Sequence, residues 1–275
     1  MRLNIRHETA YRYAVPASRV IEVLRLLPRG HNGQHVASWR IDMDCDCRLD
    51  PSTDAFGNLM HEFTLDGPIE GLTIVAEGSV ETVDTAGVLH GQIERFPPVL
   101  YLRDTALTAS DAMIRDFARE VADRSDNDRL SLMHALMEAI GERMTFEVDA
   151  TNTGTTAVEA FALGHGVCQD FAHVFIAACR HLGIPARYTS GYMLNAAEPA
   201  KQSAGHAWAE ALVEGLGWVG FDPANAQCPT DAYVRLAIGL DYLGAAPIRG
   251  FVFGGGRETL SVHVDIRADS RSFGG

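Results

Sequence analysis

The residues Gly164-His165-Gly166-Val167-Cys168-Gln169-Asp170-Phe171-Ala172-His173 place a cysteine directly after a glycine-containing turn, where a helix is predicted to begin. Beyond the cysteine, apolar residues recur at helical spacing, namely Phe171, Val174, Phe175, Ala178 and Leu182. Gly183 and Pro185 then predict the helix end. A thiol in a first helical turn faces unpaired backbone N–H groups and the positive end of the helix dipole. Both features favour a thiolate, so we predict that Cys168 is a nucleophile.

A nucleophilic cysteine needs a base, and the base needs a group that orients it. Two strand-like segments after the helix each carry one candidate. His206 begins an alternating run, and Asp222 ends the next run directly before Pro223, a residue that cannot pair normally in a sheet. If the two segments pair across the turn at 214–217, both side chains lie at the same end of the sheet. The spacing therefore allows an imidazole held by a carboxylate and facing Cys168.

Several motifs resemble those of the transglutaminase-like cysteine peptidase superfamily. In the second half of the chain they are Gly-Val-Cys-Gln-Asp-Phe-Ala-His at 166–173, Gly-Ile-Pro-Ala-Arg-Tyr at 183–188, Ser-Gly-Tyr at 190–192, His-Ala-Trp at 206–208 and Gly-Trp-Val-Gly-Phe-Asp-Pro at 217–223. Near the N-terminus, the segments 7–13, 24–29 and 54–58 resemble the β-rich region that precedes this core in bacterial members. The resemblance covers most of the chain. It implies an α+β fold, in which a papain-like core of helices on an antiparallel sheet follows an all-β, sandwich-like domain, and it implies a Cys–His–Asp triad.

Composition restricts the classes of partner and compartment. The chain has 275 residues, 47% of them apolar, and a net charge of −13 that is spread along its length. Such an acidic surface repels phosphate backbones and anionic lipid, so we expect neither nucleic acid nor membrane as a partner. The first residues lack a continuous apolar stretch, and five cysteines is an odd count that favours reduced thiols. We therefore expect a cytoplasmic protein.

The pattern of polar and apolar residues changes once along the chain. Residues 1 to about 85 alternate as strands do, most clearly from Trp39 to Leu49. We predict a β-sandwich-like domain at 1–90, a linker with two prolines at 91–107, and a catalytic core with C-terminal strands at 108–275. A capping box beginning at Thr108 predicts the first helix of the core.

Each candidate residue also has an ordinary structural interpretation. Cysteine is often buried in a core, as we expect for Cys179 on the apolar stripe of the helix. A histidine can simply belong to a strand, and Asp222 can simply begin a turn before proline. The three residues together favour the catalytic interpretation. We name three residues near them as candidates for a substrate cleft: His165, Gln169 and Trp208.

We predict no metal and no cofactor. Cys45 and Cys47 form a C-x-C pair without further ligands, which is a weak metal signal. The glycines at 254–256 lack the Lys-Ser/Thr of a phosphate-binding loop. The predicted partner is a peptide or protein substrate.

The triad predicts amide chemistry through a thioester intermediate, and we expect peptide or isopeptide hydrolysis. Two alternatives stay open. One is a transglutaminase or acyl transferase, in which an amine and not water accepts the acyl group. The other is a non-catalytic scaffold that keeps the fold and binds peptides. The N-terminal region is open to three roles: gating the cleft, recognising substrate, or forming a homodimer.

Overall fold

The computed structural model describes residues 1–125, 128–195 and 204–269. The helices and strands in these ranges are, in chain order, β1 Arg2–Leu24, β2 Gln34–Met43, β3 Asp50–Thr53, β4 Leu59–Thr82, a 3-10 helix Pro98–Leu102, α1 Ala112–Arg124, α2 Arg129–Arg143, β5 Thr145–Phe146, α3 Ala157–Leu163, β6 His165–Gly166, α4 Cys168–His181, β7 Ala186–Met193, β8 His206–Val213, β9 Gly217–Phe221, β10 Tyr233–Gly239, α5 Tyr242–Ala245, β11 Ile248–Gly254 and β12 Glu258–Ala268. The predicted α+β class is confirmed. Within the described ranges, no helix has both the length and the apolar character needed to cross a bilayer.

The strand-rich N-terminal region that we predicted is confirmed, and its strands form one continuous antiparallel sheet. The strand order is β11-β1-β4-β2, with β12 on the same side of β1 as β11, and with β3 beside β4. The register between β1 and β4 shifts between Arg12 and Arg19, and irregularities of this kind bend a sheet. The sheet encloses an apolar core that includes Leu24, Phe63 and Leu72.

The C-terminal strands belong to this first sheet, which corrects the predicted domain boundary. β12 pairs with the first half of β1, from Leu3 to Tyr13, and β11 pairs with its second half, from Ala17 to Leu24. The C-terminal strands pair here because β4 covers only one edge of β1, and β1 is long enough for both β11 and β12 to lie along the other edge. Val264 of β12 is buried in the pairing. The predicted core at 108–275 therefore ends before β11.

The core sheet has four antiparallel strands in the order β10-β7-β8-β9. Helix α4 packs across β7 and β8, and α1, α2 and α3 surround α4. The apolar stripe predicted for α4 is buried, including Phe171, Phe175 and Cys179. This is the helix-on-sheet core that the sequence motifs implied.

Two predicted element boundaries differ from the structure. Helix α1 is capped by Asp111, whose Oδ1 accepts from the backbone N of Ile114 at 3.0 Å, and not by Thr108. Thr108 is buried instead and accepts from Arg180 Nη1 at 2.6 Å. Strand β2 ends at Met43, whereas the alternating pattern predicted a strand that continues to residue 49. The strand ends there because the side chain of the next residue, Asp44, accepts a hydrogen bond from the backbone N of Thr73 at 2.8 Å.

Candidate active site

Local backbone geometry delivers Cys168 to the first position of α4. Gly164 ends α3 in the left-handed region, with φ 73°, which a residue without Cβ adopts easily. The next two residues pair in parallel with β5, Thr145 opposite His165. Helix α4 then begins at Cys168. The backbone N–H of Asp170 donates to the O of Val167 at 2.8 Å, whereas the N–H groups of Cys168 and Gln169, the first two residues of the helix, have no acceptor within it and can serve a ligand at the sulfur.

The carboxylate of Asp170 fastens the start of α4. Its Oδ2 accepts from the backbone N of Val167 at 2.8 Å and from Thr151 Oγ1 at 2.5 Å. A Cβ on Gly166 would lie 2.6 Å from this oxygen, so the position requires glycine. Burial raises the pKa of Asp170, and its hydrogen bonds counter only part of that effect. Asp170 therefore holds the turn in place.

His206 and Asp222 lie together as the strand spacing predicted. β8 and β9 pair from Ala209–Phe221 to Val213–Gly217, so the first residue of β8 and the residue after β9 reach the same sheet end. His206 Nε2 lies 2.6 Å from Asp222 Oδ2. The imidazole is 11% exposed and the carboxylate is fully buried.

The second ring nitrogen of His206 is left for Cys168. Burial lowers the pKa of His206, but the charges and hydrogen bonds of Asp222 and Cys168 outweigh burial and raise that pKa to about 10. Asp222 occupies Nε2, so Nδ1 is the nitrogen available to the thiol. Cys168 itself is partly exposed. The structure thus brings the three predicted residues together, with the imidazole between a buried carboxylate and a partly exposed cysteine.

Sequence reasoning missed the groups that surround the buried carboxylate. Asp222 Oδ2 also accepts from Asn225 Nδ2 and from Tyr233 Oη, each at 2.7 Å, and Oδ1 accepts from the backbone N of Ala224 at 3.1 Å. Burial alone would raise the pKa of Asp222, but His206 and the other donors lower it. The carboxylate therefore stays ionised although it is buried. Tyr233 reads as an ordinary strand aromatic in the sequence, which is why no local signal identified it.

Trp208 is buried and packs against the imidazole, and its contact with a substrate stays a prediction. Its ring is only 2% exposed and stacks on His206 at 6.2 Å between centroids. Its other contact is edge-on with Tyr233 at 5.4 Å. The strand alternation does put Trp208 on the face of His206, but Tyr233 covers it. A Cβ on Gly191 would lie 2.6 Å from the indole, so the neighbouring strand requires glycine there.

The other two cleft candidates lie on either side of Cys168 and differ in exposure. The side chain of His165 is 43% exposed, and its Nδ1 lies 2.7 Å from Glu147 Oε2. Gln169 is buried, and its Nε2 lies 3.5 Å from the backbone O of Thr153. Their contact with a substrate stays a prediction. Among the described residues, no group of three or more His, Cys, Asp or Glu side chains is arranged to hold a metal ion.

Family models match two separate parts of the chain. The model described as the transglutaminase-like superfamily matches residues 115–223, which contain Cys168, His206 and Asp222. The model described as the bacterial transglutaminase-like N-terminal region matches residues 3–81, which contain β1 to β4 except Arg2, the first residue of β1, and Thr82, the last residue of β4.

Similar proteins match the chain over nearly its whole length. A protein of Mycobacterium leprae described as uncharacterized is 28% identical over 96% of this chain and 98% of its own length. A protein of Mycobacterium tuberculosis, likewise described as uncharacterized, is 28% identical over 96% of this chain and 92% of its own. The crystal structure of a candidate cysteine protease from Cytophaga hutchinsonii covers 100% of this chain, with 92% of its own chain matched, a TM-score of 0.80 and 22% identity. At that identity the likeness concerns the fold.

Proposed function

Residues 115–223 belong to the transglutaminase-like superfamily and residues 3–81 to the bacterial transglutaminase-like N-terminal region, and from this premise we propose that the protein breaks amide bonds through a thioester on Cys168. The substrate class is a peptide or a protein. One observation carries the proposal: the imidazole of His206 lies between the sulfur of Cys168 and the buried carboxylate of Asp222.

In the proposed reaction, the sulfur of Cys168 attacks the amide carbonyl carbon after its proton has passed to His206. The backbone N–H of Cys168, the first residue of α4, has no acceptor within the helix and donates to the oxyanion, an interaction worth about 3 kcal/mol in comparable sites. His206 then protonates the departing amine, and the C–N bond breaks to leave a thioester. Water, deprotonated by His206, attacks the thioester, and the acid product leaves as the thiol re-forms. Asp222 keeps the imidazole oriented and stabilises its cation in each step.

Acyl transfer to an amine is the second candidate, because it shares every step up to the thioester. We place hydrolysis first, since water reaches a partly exposed thioester without a dedicated acceptor site. A peptide-binding scaffold is the third candidate. It has no need for an imidazole whose pKa is raised to about 10 by a buried carboxylate and a cysteine.

Alkylation tests the nucleophile without a known substrate. We expect iodoacetamide at near-neutral pH to label the wild-type protein rapidly, and Cys168→Ala to lose that rapid phase. Cys228→Ala is the matched control and should keep it, because burial raises the pKa of the Cys228 thiol to about 11. Equal labelling of wild type and Cys168→Ala would contradict an activated thiol.

Mass spectrometry of a peptide library separates the three functions. Hydrolysis gives shortened or deamidated products without added amine, acyl transfer gives amine adducts only when an amine is supplied, and a scaffold gives no covalent product. Cys168→Ala is the blank in each arm. A product that forms equally with this variant would exclude the thioester route.

A further inference from the structure

The outer edge of β10 is bound by side chains from the N-terminal sheet. β10 is the last strand in the order β10-β7-β8-β9, so one of its edges has no strand beside it in the core. Backbone groups on such an edge need other partners when they are buried. Two amide side chains supply them here, Gln34 at the beginning of β2 and Asn58 directly before β4.

Each amide binds one residue of β10 through both of its polar atoms. Gln34 accepts from the backbone N of Arg235 at 2.8 Å and donates to its O at 2.9 Å. Asn58 accepts from the backbone N of Ile238 at 2.8 Å and donates to its O at 2.7 Å. Both amides are buried. Each side chain therefore does for β10 what a peptide group of a neighbouring strand would do.

Strand β10 also begins at the residue that touches the buried carboxylate of the candidate triad. Tyr233 lies two positions before Arg235, and its hydroxyl donates to Asp222 Oδ2 at 2.7 Å. The same hydroxyl accepts from Gln227 Nε2 at 2.8 Å, which fixes the direction of its proton. The position of β10 thus determines whether this hydroxyl reaches Asp222.

We propose that the N-terminal domain positions the candidate triad, with Gln34 and Asn58 holding β10 by its free edge while Tyr233, at the start of that strand, holds Asp222. All three are positioning residues, since none of them contacts Cys168 in the interactions described above. The proposal rests on the proposed function only for the importance of Asp222 to Cys168. It gives the N-terminal domain a role inside the active site without requiring it to touch a substrate.

The Gln34 side chain influences the Cys168 thiol through the position of β10 and the charge of Asp222. Removing the Gln34 amide leaves the buried N and O of Arg235 without partners, which favours movement of β10 toward other donors and acceptors. A hydroxyl that moves beyond hydrogen-bond distance no longer stabilises the Asp222 anion, and the pKa of Asp222 then rises. Protonated Asp222 cannot sustain the His206 cation. Thiol reactivity then begins at a higher pH.

The test is the pH profile of Cys168 alkylation by iodoacetamide in the full-length protein. We expect Tyr233→Phe, which keeps the ring, to move the acid limb of the profile upward by about one pH unit. Gln34→Ala should move it in the same direction. The double variant should show no more than the larger single shift, because both changes act through one hydroxyl. Asn4→Ala is the matched control, since Asn4 is an exposed amide of the same sheet that binds Asp269.

Several outcomes would overturn the proposal. They are an unchanged acid limb in folded Gln34→Ala, additive shifts in the double variant, and a wild-type profile in Tyr233→Phe. Gln34→Glu is a milder second variant, which keeps the acceptor for the Arg235 N–H but opposes its carbonyl with a carboxylate. If neither Gln34 variant folds, Gln34 is a purely structural residue and the proposal fails. Alkylation of Cys168 needs no substrate. If the protein cleaved no amide bond, the proposed function would fail, but this test of the positioning residues could still be carried out.

Discussion

Two buried carboxylates of the same four-stranded sheet have opposite surroundings. Asp222 faces His206, whereas Glu210 of β8 faces two arginines. Glu210 Oε2 lies 2.6 Å from Arg187 Nε and its Oε1 lies 2.6 Å from Arg235 Nε. Burial raises the pKa of Glu210, but the two guanidiniums outweigh burial and lower it to about 2. Both carboxylates are therefore anions in the interior.

The difference lies in what the partner can do. A guanidinium does not give up its proton in a protein, and Arg187 is enclosed further by Glu94 at 2.7 Å and by the ring of Trp218 at 3.9 Å. An imidazole gives up its proton more readily than a guanidinium does, even with the pKa of His206 raised to about 10, and His206 has one nitrogen left for Cys168. A buried charge pair is thus structural when its partner is locked in one protonation state, and able to support chemistry when the partner titrates beside a nucleophile.

The largest expected effect breaks the arginine cluster. Glu210→Gln leaves two buried guanidiniums without their shared anion, so we expect a loss of about 3–5 kcal/mol in the free energy of unfolding. Urea unfolding measures it. Glu77→Gln is the matched control, because Glu77 also bridges two arginines, Arg6 and Arg40, at the exposed surface of the first sheet. That control should lose no more than about 1 kcal/mol. Similar losses in the two variants would contradict the distinction.

The next effect removes the titrating partner. His206→Gln should slow iodoacetamide alkylation of Cys168 about 100-fold at neutral pH, because the sulfur loses its base and its neighbouring cation. We expect a smaller fall in the urea midpoint than in Glu210→Gln, because Asp222 keeps the donors Asn225 and Tyr233 and the backbone N of Ala224. His263→Gln, at an exposed histidine of β12, is the control and should alkylate as wild type does. An unaltered rate in His206→Gln would place the thiol outside the influence of the imidazole.

The smallest effect is the pH dependence of stability, about 1 kcal/mol for each pH unit within the ranges given below. The folded pKa of His206 lies above its ordinary value of 6.5, at about 10. Its contribution is therefore complete below the ordinary value and disappears as the pH rises through about 10. The folded pKa of Glu210 is lowered from 4.5 to about 2, so its contribution is present above 4.5 and disappears as the pH falls through about 2.

Urea unfolding at alkaline and at acidic pH distinguishes these two contributions. His206→Gln should flatten the alkaline decline and leave the acidic one, while Glu210→Gln should do the reverse. If His206→Gln flattened the acidic decline, or Glu210→Gln the alkaline one, the two pH-dependent contributions would be wrongly assigned.

The prediction of the candidate triad rests on local patterns in the sequence. A helix start after glycine identifies Cys168, and the turn between two alternating runs puts His206 and Asp222 at one sheet end. The sequence did not show the surroundings of Trp208, because alternation gives the face of a strand and not what covers that face. The covering ring belongs to Tyr233, which comes from β10 after a long loop, and no local pattern encodes the path of that loop.

The sequence also gave no sign of the pairing between the C-terminal strands and β1. An alternating strand such as β12 shows that it has a buried face but does not show which strand lies beside it. Its partner is β1, at the other end of the chain, so the tail was assigned to the core next to it in sequence. The amide contacts of Gln34 and Asn58 with β10 escaped prediction for the same reason, since each joins residues about two hundred positions apart.

The chain leaves the first sheet at Thr82 and returns to it at Ile248, so the unit that carries the candidate triad is an insertion within a single sheet. A unit attached by one linker can swing and twist about it, whereas a unit attached twice can rotate only about the line through its two junctions. The insertion therefore restricts the core to small hinge movements against its support. A protease would have to cut both junctions to release it.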